Sequence, residues 1–153
     1  MTDKSVFTDE EWHALVDAPL LITAAIFIPG EHGPISMMKE ASASARAISR
    51  PGERGSANAL IGEIVAEANT KETRKEMKEE MKEHRSTPEA AIEAALTDLE
   101  PAAAALKKLP ADESSQVAAW FVDIAKAVAE SAKTVNEREQ ATIDRIAALF
   151  GVS

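Results

Sequence analysis

The segment DESSQVAAWFVDIAKAV, residues 112–128, decides how the chain folds. Its apolar residues Val117, Trp120, Phe121, Ile124 and Val128 recur at steps of three and four, the spacing that places side chains on one face of an α-helix, and Asp112 suits a helix start. A half-buried strand would need alternation with a period of two, and no part of the sequence shows it. The chain therefore reads as all-α.

Downstream, Asn136 and Glu139 form a capping-box pair. Ile143, Ile146 and Phe150 then face inward until Gly151 closes the last helix. Upstream, Thr87 before Pro88 marks another helix start, with Ile92, Leu96 and Leu99 on the buried side. Pro101 has no N–H to give and is expected to kink or split that helix.

At the N-terminus Thr8 and Glu11 make a capping box, flanked by Phe7 and Trp12 as a hydrophobic staple, so a first helix is expected from about Thr8 to Asp17. Pro19 suits the first turn of a second, mostly apolar helix carrying Leu20, Leu21, Ile26 and Ile28, stopped by Pro29-Gly30. A third helix is expected from Pro34 to Arg50. A fourth carries Leu60, Ile61, Ile64, Val65 and Ala68, with a break or kink at Asn69. The following stretch, Lys71–Arg85, is dense in Lys and Glu at helical spacing, and only Met77 and Met81 interrupt it. These signals imply a multi-helix bundle of about seven or eight helices in a single domain over residues 1–153.

Composition fits that reading. A chain of 153 residues is long enough for a real core, its apolar fraction is 45%, and Phe and Trp are its only aromatics, so the core is aliphatic and alanine-rich. The net charge of −9 carries no basic cluster, which argues against nucleic acid and anionic membranes as partners. With no cysteine there is no disulfide, thiolate metal site or thiol nucleophile, and a cytoplasmic address is expected. The apolar run from Leu20 to Ile28 is too short to span a membrane, and the acidic residues before it do not suit a signal peptide.

No complete catalytic set is present. Glu10 and His13 share the spacing used in di-iron bundles, but a second such pair is missing, and solvated side chains are expected. Glu63 and Glu67 form a carboxylate pair without a calcium-loop pattern, again expected to be solvated. The Gly-flanked turn Pro29–Gly33 places Glu31 beside His32, where backbone N–H groups and an imidazole suit a small anion or a metal ion. Met77 and Met81 are the candidate partner-binding face, because methionine adapts to varied surfaces. No cofactor is expected, and protein–protein contact or homo-oligomerisation is the expected mode of action.

Two stretches echo each other: Ile22–Ser36 and Ala125–Glu139 each run from an Ala-rich helix end through a polar turn to a new helix start. Together with the ending Glu137–Val152 they resemble the helix-turn-helix halves of TerB-like (tellurite-resistance protein B) proteins. The resemblance implies a pseudo-twofold helical bundle and metal binding at Asp-Gly turns; a stress-related accessory role is a separate expectation. The corresponding positions here read Gly30-Glu31-His32-Gly33 and Lys133-Thr134-Val135-Asn136, without the Asp-Gly.

Overall fold

Helix α1 (Asp9–Phe27) forms the centre of the architecture, preceded by a single 3-10 turn at Lys4–Val6. The computed structural model describes residues 4–27, 59–68, 88–130 and 137–152. Around α1 stand α2 (Ala59–Ala68), α3 (Pro88–Leu106), α4 (Ala111–Glu130) and α5 (Glu137–Leu149). No strand occurs among the described residues, in keeping with an all-α fold. The helices expected over 34–50 and 71–85 lie outside the described residues, as does most of the first echo.

The central place of α1 follows from its sequence. From Leu15 onward it is apolar nearly all round, and a helix of that kind is stable only when neighbours cover every side. It packs on all four other helices, most extensively on α3 and α4. Leu15, Ile22 and Ile26 are fully buried in one core cluster with Leu60, Ile61 and Ile64 of α2 and Leu99 of α3. The apolar stripe Val117–Val128 forms the inner face of α4, where Trp120, Phe121 and Ile124 are almost completely inaccessible. Each buried large apolar side chain contributes about 1.5–3 kcal/mol relative to exposure. That burial, more than helix propensity, holds the elements together.

The sequence expectation about Pro19 is corrected, and that about Pro101 is narrowed, since its helix is not split. Pro19 does not begin a second helix: α1 runs through it without a break, as a helix of 19 residues. The ring removes the donor that the Leu15 carbonyl would otherwise accept, a loss of about 3 kcal/mol in an isolated helix. Around it Leu15, Val16, Ala18, Leu21 and Ile22 are all buried, and their packing outweighs that loss. Thr23 donates its hydroxyl to the Pro19 carbonyl at 2.9 Å, which satisfies a buried polar group within the helix. Pro101 likewise lies inside a continuous α3. It is exposed, and the carbonyl it deprives of a donor belongs to Thr97, another exposed residue, so water can take that place.

The helix ends follow the local chemistry. The Thr8 N–H donates to Glu11 Oε1 at 2.8 Å and the Glu11 N–H to Thr8 Oγ1 at 3.2 Å, the reciprocal pair of a capping box. Phe7 and Trp12 stack across it with ring centroids 6.3 Å apart. At the other terminus Val152 N–H donates to the Ala147 carbonyl at 2.8 Å and Gly151 N–H to Ala148 at 3.2 Å, which is a Schellman motif. Gly151 stands at φ +71°, a backbone conformation that L side chains rarely adopt.

Candidate functional site

Among the described residues, an open groove suited to binding is built by two chain reversals. Where α3 ends, the N–H groups of Lys107, Lys108 and Leu109 donate to the carbonyls of Ala104, Ala105 and Leu106 at 3.1–3.2 Å, a tightening of the helix end that satisfies the terminal carbonyls. Pro110 then turns the chain into α4, and its carbonyl accepts from the Ser114 N–H at 2.9 Å. Opposite lies the Schellman turn of α5, which carries Phe150 and Val152 on either side of Gly151.

Between the two turns is an open groove of about 610 Å³. Leu106, Leu109 and Ala118 form its floor and are themselves buried, whereas Phe150 and Val152 on its wall are half-exposed. Phe150 is fixed by its ring contact with Phe121, whose centroid is 5.0 Å away. Ser114, Ser115 and Lys107 bring polar groups to the rim. The groove thus presents apolar surface with a few hydrogen-bonding groups at its edge, the usual constitution of a binding cleft.

Adjacent lysines of this turn have different surroundings. Lys108 reaches across to α1 and pairs with Glu11 at 2.5 Å. That hydrogen bond, together with the Thr8 backbone N–H, holds the Glu11 carboxyl below its ordinary value. Lys107 borders the groove and makes no ion pair with any described residue. A second inter-helix pair, Arg145 on α5 with Glu93 on α3, is bidentate at 2.5 and 3.0 Å. It lowers the Glu93 carboxyl and raises the Arg145 guanidinium, but both side chains are half-exposed or more. Such a pair orients helices more than it stabilises them.

The structure treats the sequence candidates unequally. Glu31 and His32, and Met77 and Met81, lie outside the described residues. Glu10 and His13 are both exposed on the first turns of α1. The expectation that Glu63 and Glu67 are simply solvated is corrected. Glu67 accepts the Trp12 indole N–H at 2.8 Å, and one carboxylate oxygen of Glu63 is buried with no partner among the described residues. Trp12 is nearly buried, so its N–H needs an acceptor, and α2 supplies one when it packs across the start of α1. Among the described residues no group of three or more His, Asp or Glu stands close enough to hold a metal ion. No described helix is long and apolar enough to cross a membrane.

Sequence reasoning missed the groove. Its walls come from residues about 40 apart, and only Gly151 and Pro110 announce the turns that bring them together. Comparison with protein-family models, with curated proteins and with solved structures finds no match for this chain. The TerB-like resemblance therefore rests on the sequence motifs alone.

Proposed function

We propose that this chain is a non-catalytic helical-bundle protein that acts through contacts with another protein, one or two of whose apolar side chains seat in the groove beside the α3–α4 turn. The observation that carries this reading is the groove's constitution: a preformed apolar floor, a fixed aromatic wall in Phe150, and hydroxyl and ammonium groups confined to the rim. Binding energy at protein interfaces concentrates where a few anchors fill such clefts and water is excluded around them. The acidic, cysteine-free composition favours a protein partner over nucleic acid and suits a reducing, cytoplasmic setting. The Met77 and Met81 face, if it joins the same contact, would extend the apolar surface beyond the groove.

Filling the groove tests the proposal. In Ser115→Trp, a large ring is introduced at an exposed rim position; Thr97→Trp, on the exposed side of α3 away from the groove, is the control. Both variants should unfold within about 0.5 kcal/mol of the parent in urea, as exposed substitutions generally do. Native complexes isolated from the source cells should lose their partner in Ser115→Trp and keep it in Thr97→Trp. Retention of the same partner by both variants would contradict the reading. A groove that instead takes only small molecules, which its volume also allows, would show as a strict monomer with no complex to lose.

A second reading, a TerB-like module that binds a metal ion or small anion at Glu31 and His32, is supported by the sequence resemblance and the Gly-flanked turn. Titration calorimetry with divalent metals and with phosphate should then give heat that His32→Ala removes. No heat from either would end that reading.

A further inference from the structure

We draw no further inference here: the strongest candidate, the groove between the α3–α4 turn and the C-terminal cap of α5, belongs to the site already described, and nothing in the structure shows what covers it.

Discussion

The two sides of the α3–α4 turn are finished differently. On the side facing α1, Lys108 is bonded to Glu11, Glu11 closes the capping box with Thr8, and Trp12 is stacked on Phe7 and bonded to Glu67. This seam joins α1, α2 and the turn. On the other side, Lys107 and the two serines surround apolar surface that no described residue covers. A seam with paired groups stabilises the bundle, whereas an open groove with a half-buried aromatic wall stabilises it less and leaves surface for a partner.

The largest expected effect breaks the seam. Trp12→Ala removes a nearly buried ring, its stacking on Phe7 and the donor to Glu67. It should destabilise the protein by about 3–5 kcal/mol in urea denaturation. A loss below about 1 kcal/mol would mean that the seam is not where stability resides.

At the groove the expected effect is smaller and purely conformational. An added Cβ at Gly151 would meet nothing within 4 Å, but the residue stands at φ +71°. Gly151→Ala should therefore cost about 1 kcal/mol through backbone strain alone, and Gly151→Asn, which tolerates that conformation better, should cost less. Equal stability of all three chains would contradict the Schellman geometry.

The smallest effect compares the adjacent lysines. Lys108→Ala should lower the urea midpoint and Lys107→Ala should not, and the difference should shrink as salt is added. It should also depend on pH. The Glu11 carboxyl is held below its ordinary value of 4.5 when folded. Its contribution is therefore fully present above about 4.5 and is lost as pH falls through the lower folded value. The Lys107 and Lys108 variants should converge as pH falls through that lowered value. A gap that widens on acidification would refute the pairing.

Local chemistry made much of this fold legible. The Thr8–Glu11 box, the Phe7–Trp12 staple, the Gly151 stop and the α4 stripe each involve residues within one or two turns, where spacing alone determines who can meet. Pro19 misled because proline's cost is local while the packing that overrides it comes from distant chain, whereas the exposed Pro101 leaves its helix unsplit without such packing. Residues around Pro19 are buried by α3 and α4, and no feature of residues 9–27 states that. Glu67 and the groove were hidden for the same reason: Trp12 announces that its indole needs an acceptor, but not that the acceptor sits 55 residues away. Helical bundles with the same caps and stripes can be connected in several ways.

The most direct measurement of the proposed role is site-specific photo-crosslinking in the source cells, with the reactive side chain placed at Ser115 in the groove or at Thr97 outside it. A discrete protein adduct from Ser115 and none from Thr97 is the expected result. The same adducts from both positions, or none from Ser115 under conditions where the chain is folded, would contradict a partner-binding groove.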